Sequence, residues 1–139
     1  MSLRPPRVSR PKSAWRQQKG GRAWREGHGA EWVAAVWLML KGYQILAFRL
    51  PNKAGEIDIL ARRGRVLALV EVKRRATLEA ALAALTPKQF QRLAAAGETV
   101  KRGRPSLSHL TLRLDMVALA PGRIPVHVRD IGSKGLEFQ

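Results

Sequence analysis

The chain has 139 residues, with 26 Lys and Arg against 10 Asp and Glu, which gives a net charge of +16. This excess favours a polyanionic partner, either nucleic acid or an anionic membrane surface. The absence of cysteine excludes a disulfide framework, a thiolate metal site and a cysteine nucleophile, while 45% hydrophobic residues predict a folded domain with its own core.

Residues 1–27 predict a flexible basic arm in which only Glu26 is acidic. Trp15 and Trp24 lie among the cations, which suits phosphate contact combined with base stacking. A solvated tail that keeps the protein soluble explains the same composition equally well. If the arm binds nucleic acid, the expected contacts are Arg16, Lys19, Arg22 and Arg25.

Residues 29–42 predict a helix rich in Ala and Leu, with Gly42 as its end. Glu31 is its only acid, and the small and apolar residues on the same side would hold Glu31 at the edge of the core. An acid in the first turn also suits the helix dipole, which is the structural alternative for Glu31.

The remaining surface of this helix, from Trp32 to Leu40, has almost no polar face. We expect it to meet a partner or the basic arm, and a homodimer through this surface is the expected assembly. The same run is the longest apolar stretch and is too short to span a bilayer. The N-terminus lacks the apolar core of a signal peptide, so we expect a cytoplasmic, nucleoid-associated protein without a membrane partner.

Residues 43–50 predict a strand, and residues 55–75 predict two strands joined by a turn at 62–65. Because side chains alternate along a strand, Asp58 falls on the face of Leu60, and Glu71 falls on the face of Leu69 and Lys73. Pairing of the two strands as a hairpin would bring Asp58 and Glu71 together.

Three of the ten acidic residues, Glu56, Asp58 and Glu71, therefore lie on one largely apolar hairpin. Burial and mutual repulsion penalise such carboxylates, and a bound Mg²⁺ or Mn²⁺ would relieve both. A lysine beside that cation, Lys73, would orient or deprotonate an attacking water, which makes a site for phosphodiester hydrolysis. The structural alternative is that Lys73 and nearby arginines neutralise these acids.

Farther along the chain, the sequence predicts a short alanine-rich helix at 77–85 and a second helix that starts with a capping box at Thr86 and runs to about Lys101. A strand follows at 111–120, in which Arg113 and Asp115 share a face and predict a structural salt bridge. Residues 125–129 predict an edge strand, and residues 132–139 a frayed tail.

The ordered blocks of this chain resemble the YraN-like family of the PD-(D/E)xK nuclease superfamily, which is related to archaeal Holliday junction resolvases. The resemblance covers about residues 27–130 and depends on the order of the blocks more than on any single one. These are G-A-E-W-V-A-A, K-G-Y-Q-I-L, G-E-I-D-I-L-A, V-E-V-K-R-R, T-P-K-Q and R-L-D-M-V.

This resemblance implies a restriction-endonuclease-like α/β fold for residues 28–131, with three layers and a central mixed sheet flanked by helices. It implies that Glu31, Asp58 and Glu71 are the metal-binding carboxylates and that Lys73 is the catalytic lysine. The chain departs from the family between Leu46 and Gly55, where Arg49 and Pro51 stand about where the family has an Asn and an Arg. The further candidate contacts to nucleic acid are Arg74, Arg75, Lys88 and Gln89.

The sequence therefore predicts a metal-dependent endonuclease-like protein acting on DNA, including branched or junction DNA. Two alternatives stay open. The first is a binding module that keeps the fold and the basic surface but does not cut. The second is a protein-interaction factor that uses the apolar first helix.

Overall fold

A computed structural model of the protein describes residues 29–53 and 55–131. The predicted arm at 1–27 and the predicted tail at 132–139 lie outside these ranges. The helices are α1 (Gly29–Leu40), α2 (Leu78–Leu82) and α3 (Pro87–Gly103). The strands are β1 (Gln44–Leu50), β2 (Ile57–Arg63), β3 (Val66–Arg74), β4 (Thr111–Leu119) and β5 (Val126–Val128).

The five strands form one sheet in the order β1-β2-β3-β4-β5. All neighbours pair antiparallel except β3 and β4, which are parallel. A parallel pair needs a long crossover, and α2, α3 and a short 3-10 helix at Pro105–Leu107 supply it. The predicted order of helix, three antiparallel strands, helix and further strand is confirmed, and the arrangement is a restriction-endonuclease-like α/β fold.

Two hydrophobic layers lie on opposite faces of the sheet because side chains of β2 and β3 alternate. The layer that contains α3 includes alternate strand residues and the inner side of that helix, namely Leu60, Leu67, Leu69, Leu93 and Val100. The layer that contains α1 includes the intervening strand residues and the inner side of α1, namely Ile59, Ala61, Ala68, Val70, Ala34, Ala35 and Leu38.

The start of α3 follows the predicted capping box. The Thr86 hydroxyl accepts from Gln89 N, and Gln89 Oε1 accepts from Thr86 N, each at 3.1 Å. Closer to its end, α3 approaches the sheet at Gly97, where a Cβ would lie 2.8 Å from Leu112 Cδ2. A side chain at this position would therefore push α3 away from β4. The glycine thus sets the distance between α3 and the sheet.

The structure corrects two predicted boundaries. Arg62 and Arg63 belong to β2, because they pair with Leu67 and Val66 and leave only Gly64 and Arg65 in the turn. The short helix ends at Leu82 instead of Leu85. The chain must leave helical geometry before Thr86, because this N-cap of α3 has an extended backbone with ψ of 160°.

The outer side of α1 is apolar and exposed, as predicted. Three of its apolar side chains are nearly half exposed, namely Trp32 at 42%, Val36 at 45% and Met39 at 44%. The centroid of the Trp32 ring lies 5.2 Å from the centroid of the Phe48 ring. The expectation that another chain or segment covers this surface stays a prediction. Within the two described ranges, no helix has both the length and the apolar content needed to cross a membrane.

Candidate functional site

The candidate site lies where β2 and β3 separate. Their pairing ends at Ile59 and Val70, although β3 continues to Arg74. Asp58 and Glu71 are the next residues beyond the last pair, one on each strand. Val72 N donates a hydrogen bond to Asp58 Oδ2 at 2.9 Å, so the carboxylate takes the position of a strand partner. The hairpin thus places Asp58 and Glu71 side by side at the opening between the strands.

Helix α1 contributes a third carboxylate, Glu31, which is only 7% exposed. Arg49 Nη1 donates to Glu31 Oε2 at 3.2 Å, and Arg49 Nη2 lies 3.5 Å from Glu56 Oε1. The backbone φ of Arg49 is 47°, in the left-handed region, which costs a residue with a Cβ about 1–2 kcal/mol. The backbone is thus strained at Arg49, near the end of β1, where the Arg49 side chain forms ion pairs with both Glu31 and Glu56.

Burial dominates the electrostatics of the three inner carboxylates. It raises the pKa of Glu31 to about 7, although Arg49 opposes this effect. It also raises the pKa of Glu71 to about 7, with repulsion from Asp58 as the next cause. The pKa of Asp58 is raised by burial against the Val72 N–H and the charges of Lys73 and Arg49. The site therefore holds acids whose negative charge is incompletely compensated.

Lys73 is buried beside these acids, with its Nζ 3.4 Å from Glu71 Oε2. The two charges attract each other at this distance, but the distance is longer than that of a strong charge-assisted hydrogen bond. Lys73 therefore serves as a counter-ion of Glu71 in this arrangement. It would also reach a water or phosphate oxygen held next to Glu71.

A cavity of about 240 Å³ opens at Glu71 between the hairpin and α3, and is lined by Gly55, Glu56, Glu71, Gln89, Arg92 and Leu93. Gln89, a predicted contact to nucleic acid, lines this cavity, and its Oε1 accepts a hydrogen bond from Thr86 N in the capping box. Lys88 is exposed on α3 outside the lining of the cavity.

The other predicted nucleic-acid contacts are not brought into this cavity. Arg74 and Arg75 line a separate depression with Ala76 and Pro121. Arg16, Lys19, Arg22 and Arg25 lie outside the described residues. The four predicted catalytic residues therefore converge, while most of the predicted binding residues form a surface apart from them or fall in the undescribed arm.

The donor set fits a hard divalent cation with few protein ligands. In residues 29–53 and 55–131, no three His, Asp or Glu side chains are close enough to hold a metal ion together. Mg²⁺ usually binds through one or two carboxylates and keeps several waters for substrate phosphates to replace. Asp58 and Glu71 supply two such carboxylates, while the salt bridge to Arg49 leaves Glu31 better placed to act through water.

A second buried acid, Asp115 on β4, has a complete set of partners. Arg113 binds it with two hydrogen bonds of 2.9 and 2.8 Å, and His127 Nε2 lies 2.8 Å from Oδ2. Asp130 N also donates to Oδ1 at 3.0 Å. Burial alone would raise the pKa of Asp115, but these hydrogen bonds outweigh burial and hold the pKa below its usual range. The predicted structural salt bridge of Arg113 and Asp115 is therefore confirmed.

This network continues to the end of α1. Lys41 Nζ lies 2.6 Å from His127 Nδ1, and the Tyr43 hydroxyl accepts from Arg113 Nη2. Because a lysine ammonium can only donate, His127 accepts at Nδ1 and donates to Asp115 at Nε2. The hydrogen bonds of this network thus join β4 to β5 and to the segment between α1 and β1.

Sequence reasoning did not find the roles of Arg49, Arg92 and His127. In the sequence Arg49 is only a departure from a family pattern, and its positive φ has no signal there. The four-residue spacing from Lys88 to Arg92 places both on one side of a helix, but it does not show which of them meets the hairpin. His127 meets Asp115 only because β5 pairs with β4.

The fold and the converging carboxylates define the class of restriction-endonuclease-like α/β proteins. Residues 30–119 match the model of the uncharacterised protein family UPF0102. The chain belongs to this family, which is the YraN family indicated by its sequence blocks.

Several relatives carry the family name and are similar over most of their length. A UPF0102 protein of Caulobacter vibrioides (strain NA1000 / CB15N) is 52% identical over 115 residues, which is 83% of this chain and 92% of the relative. One from Caulobacter sp. (strain K31) is 50% identical over 91% of this chain and 90% of its own. One from Chelativorans sp. (strain BNC1) is 48% identical over 79% of this chain and 89% of its own.

Proposed function

We propose that this protein is a divalent-metal-dependent endonuclease that hydrolyses phosphodiester bonds in DNA, including branched or junction DNA. The observation that carries the proposal is the convergence of Glu31, Asp58, Glu71 and Lys73 at the opening of the hairpin. These side chains come from α1, β2 and β3, and a fold stabilised only by its core has no need to collect them in one place.

Asp58 and Glu71 would hold Mg²⁺ or Mn²⁺, and Glu31 would assist through a bound water. When bound, the cation would polarise the phosphoryl group and lower the pKa of an attacking water. The raised pKa values of Glu31 and Glu71 support this assignment, because a cation would offset the burial and repulsion that raise them.

Lys73 would orient the attacking water or stabilise the extra negative charge of the transition state. Its ammonium lies beside Glu71 in a buried position, where screening by solvent is weak. Arg49 would keep the carboxylates Glu31 and Glu56 in place before the substrate arrives.

The DNA backbone is the substrate class that the net charge of +16 favours. The predicted basic arm and the surface of Arg74 and Arg75 would supply affinity that does not depend on sequence. A protein of this kind would be located with the nucleoid.

One observation favours the alternative of a DNA-binding module without catalysis. Glu31 pairs with Arg49, and Glu71 pairs with Lys73, so two of the acids already have cationic partners within the protein. If these pairs persist when DNA binds, the same four residues would stabilise the fold without chemistry.

The deciding experiment incubates the pure full-length protein with linear duplex, single-stranded, flapped and four-way-junction DNA, each with EDTA or Mn²⁺. Glu71→Gln and Asp58→Asn test the site, and Glu98→Gln is the matched control because Glu98 is an exposed acid on α3. We expect cleavage that requires Mn²⁺, is abolished by the two site variants and is retained by Glu98→Gln.

Binding of the same DNA is measured in parallel by fluorescence anisotropy. Tight binding by the wild type without cleavage of any substrate would favour the binding module. Cleavage that survives in Glu71→Gln would place the chemistry elsewhere and contradict the proposed site.

A further inference from the structure

The cavity beside Glu71 is lined by acidic side chains on one side and by an arginine on the other. Glu56 and Glu71 come from the hairpin side, and Arg92 comes from α3. Arg92 is close enough to lower the pKa of Glu71 by its charge, although burial outweighs that effect. The cavity therefore has acids on one side and a guanidinium on the other.

The two acids of the cavity already have nearer cations than Arg92. Glu56 lies 3.5 Å from Arg49, and Glu71 lies 3.4 Å from Lys73. Within residues 29–53 and 55–131, Arg92 itself forms no hydrogen bond or ion pair. Its guanidinium group consequently lines a polar cavity, and within the described ranges its N–H donors are available to a ligand there.

Several contacts fix the position of Arg92. The neighbouring residue Leu93 is only 4% exposed and anchors this turn of α3 in the core. The loop before β2 is attached to the same helix, because Asn52 Nδ2 donates to Ala96 O at 3.3 Å. In that loop, a Cβ on Gly55 would lie 3.9 Å from Arg92 Cδ, and Gly55 has a φ of 136° that residues with side chains rarely adopt. The stem of Arg92 therefore lies against a backbone without a side chain.

We propose that this cavity is a phosphate-binding subsite in which Arg92 holds a backbone phosphate of the DNA. A planar guanidinium binds phosphate oxygens with two parallel hydrogen bonds, and the open side of the cavity gives access to a bulky polyanion. A phosphate here lies between Arg92 and Glu71, so that Arg92 contacts the substrate while Glu71, with Asp58, would hold the metal. This inference deepens the proposed nuclease function and depends on it for the identity of the substrate.

The matched pair of variants is Arg92→Ala and Arg102→Ala. Both replace an exposed arginine of α3 by alanine, but Arg102 lies in the last turn of the helix, far from the cavity. A third variant, Arg92→Lys, keeps the charge and loses the bidentate geometry. Melting temperatures of all three should stay close to that of the wild type, because both positions are exposed.

The measurements are the affinity for a four-way junction in EDTA and kcat/KM with Mn²⁺. A hydrogen-bonded ion pair to phosphate predicts that Arg92→Ala loses about 10- to 100-fold in each, while Arg102→Ala changes either by no more than about twofold. Arg92→Lys should recover affinity more than kcat/KM. Equal losses in Arg92→Ala and Arg102→Ala would show that Arg92 contributes only general charge and would overturn the subsite.

The two proposals fail in different ways. If the wild type does not cleave but Arg92→Ala loses affinity and Arg102→Ala does not, the nuclease proposal fails and the phosphate subsite stands. If the wild type cleaves and Arg92→Ala behaves like the wild type in both measurements, the subsite fails and the nuclease proposal stands.

Discussion

The two groups of buried acids in this sheet differ in how completely they are neutralised. Asp115 receives hydrogen bonds from Arg113 and the Asp130 N–H and is paired with His127, and its pKa is held below the usual range. Asp58 receives one backbone hydrogen bond, lies beside another acid, and has a raised pKa. Burial by itself would raise the pKa of both Asp58 and Asp115, so the opposite directions of their pKa shifts come from their partners.

A fully paired buried acid is typical of a structural role, because each of its oxygens is satisfied when the chain folds. A buried acid whose negative charge lacks enough cationic or hydrogen-bonding partners destabilises the protein. Such acids are typical of functional sites, where a bound ligand supplies the missing partner. The contrast therefore separates the Asp115 network, whose partners are all supplied by the protein, from the Asp58 and Glu71 pair, which would hold the cation of the proposed function.

The largest expected effect is on folding stability. Asp115→Asn should lower the free energy of unfolding by about 3–5 kcal/mol, because it leaves Arg113 without its buried partner. Asp58→Asn should leave stability unchanged or raise it, because the amide oxygen still accepts from Val72 N and the unfavourable charge is gone. Urea unfolding of both variants in EDTA measures this difference. Equal destabilisation by the two substitutions would remove the distinction between the groups.

The next effect concerns Lys73. If it serves chemistry, Lys73→Ala should abolish cleavage with Mn²⁺ and leave most of the DNA affinity, since many other cations hold phosphates. If it is only the partner of Glu71, the variant should lose stability on the order of a few kcal/mol. Melting temperature and junction cleavage are measured on the same preparation, with Lys101→Ala as a control on α3. A large drop in melting temperature, together with a wild type that does not cleave, would leave only the structural role.

A smaller effect is expected in the pH dependence of stability. The pKa values of Glu31 and Glu71 are about 7 in the folded protein, against ordinary values of 4.5. Between these pH values the folded state holds protons that the unfolded state has released, so stability in EDTA should fall as pH rises from 5 to 7. Asp115 acts in the opposite direction, but only at more acidic pH, because its pKa is lowered.

The difference between wild type and Glu71→Gln isolates the contribution of Glu71 to this pH dependence. The wild type should lose more stability than the variant between pH 5 and pH 8 when both are followed by thermal unfolding in EDTA. Mn²⁺ should raise the melting temperature of the wild type more at pH 8 than at pH 6, because the metal binds the deprotonated carboxylates. Parallel pH profiles of the two proteins would contradict the raised pKa of Glu71.

The smallest effect concerns the surface of α1, which lies outside both acidic groups. We expect it to form the contact of a homodimer, because it presents apolar side chains without charge while other surfaces of a chain of net charge +16 repel a second copy. Val36→Glu should shift sedimentation towards the monomer. Ile124→Glu is the control, since Ile124 is an exposed apolar residue outside α1, at 69% exposure. A wild type that sediments as a monomer at high concentration would reject the dimer.

The sequence by itself determined the elements and their order. Alternation of apolar residues placed Leu60 and Leu69 in one layer and Ile59 and Val70 in the other, and the Thr86 capping box fixed the start of α3. These features are local, because they depend on side-chain period and on hydrogen bonds between residues a few positions apart. The sequence blocks around Asp58 and Glu71 also indicate the family, because they depend only on the order of residues along the chain.

Only the tertiary structure decided which buried acids receive hydrogen bonds and cationic partners from the protein itself. Asp58 and Asp115 are both acids within apolar strands, and their local patterns do not show that Asp115 is paired with His127 of β5 while Asp58 accepts a hydrogen bond from the backbone of Val72. The positions of Arg49 and Arg92 likewise depend on the strained end of β1 and on the packing of α3 against the hairpin. The energy of a buried charge is set by partners distant in sequence, so the chemistry of this site is a property of the assembled fold.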